Sequence, residues 1–343
     1  MNFKNAIFTL VAGAATMLTS GCSMIYDDMP ECRNDYRLLF TDSYNLLNAD
    51  AFDGEVGSVS VWAFDEGGHC VWTGATPADA PARSVMELPA HLQAGTYQLV
   101  VWGGLAGQND FRLASQSPET LGDLDIFLGP NGRGASIVSA NDIGPLFHAL
   151  VKDVRIERDP MRRIDETITV PLVKDTHHIT VILSNTDSSP IDTRLDVSIT
   201  ADYSGLGYDN ARIGQSPGVE YLPWKTRYAD AVIPDGHGGT TTSKSAAFTA
   251  QLTVSRLFES GQQPRLRITR GEPGDQTVVA DLPLISTILL GKGRYDGMPS
   301  QEYLDRCGDW TFYFFMDADK GWQASPTIYI NNWAVVPPQI VEP

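Results

Sequence analysis

The sequence is short of positive charge, of cysteine and of long apolar runs, and each shortage narrows the range of functions. Lys and Arg number 25 against 42 Asp and Glu, giving a formal charge of −17 at neutral pH and a pI near 4.6. A surface of that sign repels a phosphate backbone, which argues against a nucleic-acid partner. Four cysteines in 343 residues are too few for a disulfide-stapled scaffold. Gly (31) and Pro (21) are scattered without period, which excludes collagen and argues against a long-helix protein. What is present is a chain 42% hydrophobic and only 20% charged, apolar enough to fold. At about 150 residues per domain, its length suggests about two domains.

The single long apolar stretch, Ala6 to Leu18, follows one cation, Lys4, and precedes any acidic residue. It reads as an export signal and is too short for a membrane span. Leu18-Thr19-Ser20-Gly21-Cys22 then resembles the lipobox of bacterial lipoproteins, with Thr19 where Leu is usual. Residues 1–21 are therefore expected to be a signal peptide, and Cys22 the lipidated first residue of a tether over 22–34. Two or three acyl chains at about 0.8 kcal/mol per buried methylene hold a protein on a bilayer where one chain does not. Cys32, Cys70 and Cys307 remain, an odd number in an oxidising compartment. One disulfide plus one thiol is possible, and no pairing follows from the sequence.

From Tyr36 onward, short alternating or β-branched runs are separated by Gly, Pro, Asp and Asn, the pattern of an all-β sandwich. Strands are expected at Tyr36–Phe40, Ser58–Phe64, His69–Thr73, Tyr97–Trp102, Ile168–Val173, Ile179–Leu183, Leu195–Thr200, Phe248–Val254, Leu266–Thr269, Trp310–Met316 and Thr327–Trp333. In Leu195–Thr200, Leu195, Val197 and Ile199 alternate with polar residues, so one face should be wet. The one tidy helix is Gln301 to Cys307, capped by Ser300 and stopped by Gly308. The charged stretch Val151–Thr167, with Asp159-Pro160, divides the strand-rich halves, placing the domains at 35–158 and 159–343.

Each candidate for chemistry weakens on inspection. Gly214-Gln215-Ser216-Pro217-Gly218 matches the G-x-S-x-G nucleophile elbow, but Pro217 lacks the N–H that would serve an oxyanion. His177-His178 are adjacent, so on a strand they face opposite ways and cannot chelate one metal without a bend. Asp317-Ala318-Asp319-Lys320-Gly321 begins like a calcium loop but has Ile328 where a bidentate Glu belongs. Asp235-Gly236-His237-Gly238-Gly239 lacks the spacing of a phosphate loop and reads as a surface loop. No enzyme, metal or cofactor is expected. Of seven Trp, only Trp224 and Trp322 lie outside alternating strands, and these are the candidate contacts for a glycan or protein ligand.

Several stretches together carry a resemblance: Cys22 with Cys32; Tyr44-Asn45 followed by Asn48-Ala49-Asp50-Ala51-Phe52; Val59–Asp65; Leu92–Tyr97 leading to Val101–Leu105; Leu146-Phe147-His148; Tyr208-Asp209-Asn210; Ser255-Arg256-Leu257; and Gln301–Arg306. In this order the chain resembles the FimB-type fimbrial anchor family, lipoproteins of type V pili in Bacteroidales-type bacteria. The resemblance implies two tandem transthyretin-like Greek-key β-sandwiches and a non-enzymatic role at the cell surface. The role is to hold the base of a fimbrium in the outer membrane through the lipid on Cys22, and to limit fimbrial length. The implied partners are fimbrial stalk subunits, which polymerise by strand exchange after an Arg-specific protease removes their first strand. An anchor should keep that strand, so no cut is expected at Arg33. Pro337-Pro338 makes the C-terminal tail a poor donor strand. The alternative is a stand-alone surface adhesin that binds glycan or host protein.

Overall fold

A computed structural model describes residues 33–316 and 328–335, apart from 48, 77–81, 130–135, 187–188, 192–193, 215, 236, 244–245 and 332. The first stretch supplies β1 (Asn34–Thr41), the one-turn helix α1 (Phe52–Glu55), β2 (Val59–Phe64), β3 (Cys70–Ala75), β4 (Val85–Glu87) and β5 (Gly95–Gly103). An excursion of short strands follows, β6 (Phe111–Leu113), β7 (Ile126–Leu128) and β8 (Ile137–Ser139), before β9 (Phe147–Ile156), β10 (Ile164–Pro171) and β11 (Val173–Lys174). The next segment holds β12 (Thr176–Asn185), β13 (Leu195–Ala201), β14 (Gly205–Leu206), β15 (Val219–Tyr221), β16 (Lys225–Ala229), β17 (Val232–Pro234) and β18 (Thr240–Thr242). Last come β19 (Ala247–Ser255), β20 (Arg265–Arg270), β21 (Thr277–Pro283), helices α2 (Leu284–Leu290) and α3 (Ser300–Arg306), then β22 (Asp309–Met316), β23 (Ile328–Ile330) and β24 (Trp333–Val335).

These strands build two β-sandwiches. In the first, a three-stranded sheet of order β10-β1-β4 packs on a five-stranded sheet of order β11-β9-β5-β2-β3. In the second, a six-stranded sheet of order β16-β19-β12-β22-β23-β24 faces a five-stranded sheet of order β21-β20-β13-β15-β8. Period-two alternation places the side chains: Tyr36, Leu38 and Phe40 of β1 point into the first core. On β13, Leu195, Val197 and Ile199 are buried while Asp196 and Thr200 are exposed, so its outer face is wet as the alternation predicts.

Strands β2 and β5 are apolar on both faces for a reason that the topology supplies. Val59, Val61, Ala63, Leu99 and Val101 face the first core. Trp62, Phe64, Val100 and Trp102 face the other way and join the hydrophobic cluster that continues into the second sandwich. The Trp102 indole N–H donates to the Leu124 carbonyl of the excursion at 3.0 Å. The excursion also ties the two halves covalently. Its β8 runs parallel to β15 inside the second sandwich, and its β7 pairs with β14.

The expected division at 158/159 falls inside the first sandwich. All eight residues of β10 pair in parallel with β1, and Val170 and Leu172 are buried in the first core. The changeover lies at Asp175, between β11 and β12. The charged stretch reads as a linker because Asp153, at φ 58°, marks a bulge where Tyr97 pairs with Val154 but Leu99 with Val151. The extra residue breaks the alternation of β9 and leaves its charges at the surface. The expected strand Thr327–Trp333 is similarly broken: Asn331, at φ 46°, turns the chain from β23 into β24.

Candidate functional site

Two sites stand out, the seat of the first strand and a buried polar joint between the sandwiches. Strand β1 lies in the middle of its sheet, between β10 and β4. Its entry is clamped by the segment that reads as a linker. Asn34 donates to the carbonyls of Asp159 and Arg162, both at 3.1 Å, and accepts the Asp159 N–H. The Arg158 guanidinium donates to the carbonyls of Leu92, Asn34 and Pro89 and covers the Tyr36 ring at 5.6 Å. Arg37 pairs with Asp165 on β10. Arg33, just before the strand, has a side chain 79% exposed.

The joint gathers residues from four of the stretches singled out by resemblance. Arg256 follows the last residue of β19, and its guanidinium grips Asp305 of α3 by two bonds, Nε to Oδ1 at 3.0 Å and Nη2 to Oδ2 at 2.8 Å. It also donates to the Asn210 carbonyl and approaches Asp175 Oδ1 at 3.7 Å. Asn210 adopts the left-handed conformation, with φ 62°, and donates through Nδ2 to Asp175 Oδ1 at 2.9 Å. Gln301 completes the ring by donating to Asp305 and to the Leu257 carbonyl. A buried fork of this kind is charge-assisted and geometrically selective.

One guanidinium faces two carboxyl groups here, and burial favours the neutral form of the second. Asp175 is fully buried, and burial pushes its carboxyl up to about 7 against the pull of Arg256. Asp175 Oδ2 and Asn210 Oδ1 are both buried acceptors without a partner among the described residues. A proton on the Asp175 carboxyl would add a donor among these acceptors and lower the cost of leaving them unpaired.

Two histidines flank this ring in neutral form. His177 donates through Nδ1 to the Cys307 carbonyl at 3.0 Å, while its Nε2 accepts the Leu257 N–H at 3.4 Å. A second proton would set N–H against N–H. His148 of β9 donates through Nε2 to the Tyr208 carbonyl at 2.8 Å and packs on Trp102, ring centroids 4.5 Å apart. Burial pulls both imidazoles down to about 4. Around the rim, Leu46 N–H bonds the Arg306 carbonyl, and the Arg306 guanidinium covers Tyr44 of the first sandwich at 4.1 Å.

The other sequence candidates are placed as follows. His178 faces outward, opposite to His177, with Asp309 on one ring nitrogen at 3.3 Å and Asp142 near the other at 3.7 Å. The two carboxylates flank the ring rather than converge on a common point. Among the described residues no three His, Cys, Asp or Glu are grouped to hold a metal. Ser216 is a loop staple whose Oγ accepts the N–H groups of Ser204 and Gly205 and donates to the Ile213 carbonyl. Asp235 closes the β17–β18 hairpin by accepting the N–H groups of His237 and Gly239, which makes a turn of the expected loop. Among the described residues Cys70 and Cys307 are not bonded to one another and are free thiols. Cys22, Cys32, Trp322 and the stretch 317–321 lie outside the described residues. Trp224 is half-buried at the start of β16, with Lys225 Nζ 5.9 Å from its ring, and its indole N–H is buried without a partner among the described residues.

Comparison with known proteins places this architecture. The fimbrial anchor protein Mfa2 of Porphyromonas gingivalis shares the fold with a TM-score of 0.62 at 16% identity, over 90% of this chain and 100% of that one. A candidate adhesin of Bacteroides thetaiotaomicron gives a TM-score of 0.71 at 25% identity, over 91% and 100%. A candidate polysaccharide-binding protein of the same organism gives 0.72 at 23%, over 90% and 99%. No curated protein matches the chain. No helix among the described residues is long and apolar enough to cross a membrane. The model of one family spans residues 29–336, both sandwiches and the joint included, and the chain belongs to that family, Mfa2, the fimbrillin-A associated anchor proteins Mfa1 and Mfa2.

Proposed function

We propose that the chain is the lipid-held base of a surface fimbrium: Cys22 carries acyl chains in the outer membrane, the sandwiches receive the first stalk subunit, and growth of the fimbrium is limited there. The observation that carries this reading is the match to the anchor family over residues 29–336. The seat of β1 supports it. A strand paired on both sides, with Tyr36, Leu38 and Phe40 in the core, is firmly seated in the first sandwich, and if kept it would join the tether directly to that sandwich. A protease cut at the exposed Arg33 would detach the lipid from everything that follows.

The test is palmitate labelling of native cells with wild type and Cys22→Ala. Wild type should carry label, begin at Cys22 and bring down a ladder of fimbrial subunits, whereas Cys22→Ala should lose the label and release fimbriae into the medium. A mature chain that begins after Arg33 would overturn the reading. So would a labelled chain that comes down alone. In that second case the adhesin reading takes its place, favoured by the likeness to the Bacteroides candidate adhesin. Trp224 and Trp322 are then the contacts to substitute.

A further inference from the structure

One end of the first sandwich differs in charge and in surface chemistry from the rest of the molecule, and it is the end at which the chain enters the fold. Strands β1 and β10 start there side by side, Asn34 opposite Ile164, and run parallel towards Thr41 and Pro171. Tyr44 and Leu46, just beyond β1, meet Arg306 of α3. Eight residues of strand, about 26 Å, therefore separate the entry end from the joint, and the second sandwich lies on the far side.

The turn between β9 and β10 is fixed to Asn34 and exposes Pro160, Met161, Arg162 and Arg163. Met161 is 88% exposed, more than any other large apolar side chain among the described residues, and its N–H donates to Asp159 Oδ1 at 2.8 Å, so the turn presents it at a set place. Beside it the loop from Leu88 to Ala94, held by Arg158 through the Pro89 and Leu92 carbonyls, exposes Ala90, His91, Gln93 and Ala94 and has no carboxylate. Over residues 33–35 and 155–165 five arginines stand against four carboxylates, whereas the whole chain has 25 cations against 42 acids. Arg33, Arg162 and Arg163 each lie near a carboxylate, of Asp35, Glu157 and Asp165 respectively, but their side chains are 79%, 61% and 72% exposed. Ion pairs so wet hold their members loosely. Each guanidinium is therefore free to turn to a phosphate, which its planar fork fits.

We propose that this end rests on a lipid surface with anionic headgroups, with Arg33, Arg162 and Arg163 on the headgroup phosphates and Met161 in the interface between them. The inference rests on the lipid tether proposed above, and adds to it a contact made by the body of the protein and an orientation. From Cys22 to Arg33 the chain spans at most about 40 Å, so the lipid keeps this same end near the bilayer. Three guanidinium groups alone bind a bilayer weakly. Held at short range they face a high effective concentration of headgroups, and the weak contact becomes the populated state. The same surface repels the acidic remainder of the chain, which leaves the second sandwich pointing away from it.

The test uses the full lipidated chain in vesicles of phosphatidylcholine alone and of phosphatidylcholine with phosphatidylglycerol. Phenylglyoxal modification of arginines and peroxide oxidation of methionines are followed residue by residue with mass spectrometry. In the anionic vesicles Arg162, Arg163 and Met161 are expected to react about threefold more slowly than in the neutral ones, while Arg270, exposed on the second sandwich, keeps its rate. High salt should abolish the difference. In the double variant Arg162→Gln with Arg163→Gln, whose side chains take no part in a core, Met161 should react alike in both vesicles. Equal rates for the wild-type chain in the two vesicles overturn the inference, as does equal slowing at Arg270. Protection of Met161 that survives high salt or the double variant also overturns it. A Cys22→Ala chain held by an N-terminal hexahistidine tag on nickel-chelating lipid gives the same comparison without acylation, so failure of the contact is distinguishable from failure of the lipid reading.

Discussion

Arg256→Ala is expected to lower the free energy of unfolding by about 3–5 kcal/mol, the usual cost of leaving a buried charge without its partner. The Arg256 side chain is 12% exposed and that of Asp305 7%, so little solvent is present to replace the lost bonds. Truncation strands the Asp305 carboxylate, unpairs the Asn210 carbonyl and removes the cation that stands over the Phe258 ring at 5.1 Å. Arg256→Lys should fall between, because an ammonium keeps the charge but cannot span two carboxylate oxygens and a carbonyl. Removing Asp305 as well should recover part of the loss, giving a coupling of about 0.5–3 kcal/mol in a double-mutant cycle. Urea unfolding of the full chain and its variants measures all of these. An Arg256→Ala chain within about 1 kcal/mol of wild type would mean that the joint holds nothing.

Acidification from pH 7 to pH 4 should loosen the same joint, through groups that work in opposite senses. His148 and His177 sit at about 4 in the folded chain and near 6.5 when unfolded. Unfolding therefore takes up protons below pH 6.5, and each imidazole withdraws about 3 kcal/mol of stability by pH 4. Asp175 sits at about 7 folded and 3.8 unfolded, so its proton is held by the folded state and stability is gained as pH falls through that window. The gain is about 4 kcal/mol when complete, leaving a net loss of about 2 kcal/mol from the three groups. Asp175→Asn supplies the buried donor at every pH and removes the opposing gain. It should steepen the acid loss from about one proton per molecule to about two between pH 6.5 and pH 4. Unfolding free energies of wild type and variant across that range decide the matter, and identical pH slopes would refute a neutral Asp175.

Strands such as β1, β13 and β22 are legible in the sequence because their apolar residues alternate without interruption and one face of each looks to a core. Strand β9 is not, since the bulge at Asp153 shifts the phase of its apolar residues halfway along. Helix α2 hides for another reason. Leu284–Leu290 is apolar nearly throughout, a run that periodicity cannot tell from a buried strand, and its first turn is capped from a distance by Gln263, which accepts the Ser286 N–H. The joint was legible only in pieces. Leu146-Phe147-His148, Tyr208-Asp209-Asn210, Ser255-Arg256-Leu257 and Gln301–Arg306 stand out one at a time, and it is the return of distant strands that brings them together. Asp175 stands two residues before His177 in the sequence, but its bond is to Asn210, 35 residues away.

The parallel pairing of β1 with β10 decides how the protein meets tension. The proposed lipid tether would pull on Asn34, the first residue of a strand whose eight positions all pair with a neighbour running the same way. A force directed along that strand loads its inter-strand hydrogen bonds side by side, in shear, so the ladder must slide as a whole. An antiparallel hairpin pulled apart at its open end would instead give way one rung at a time. The Arg158 clamp and the β4 pairing add resistance at the point where the load enters. A chain tied in this way would pass drag from a long filament to the membrane without surrendering its first strand.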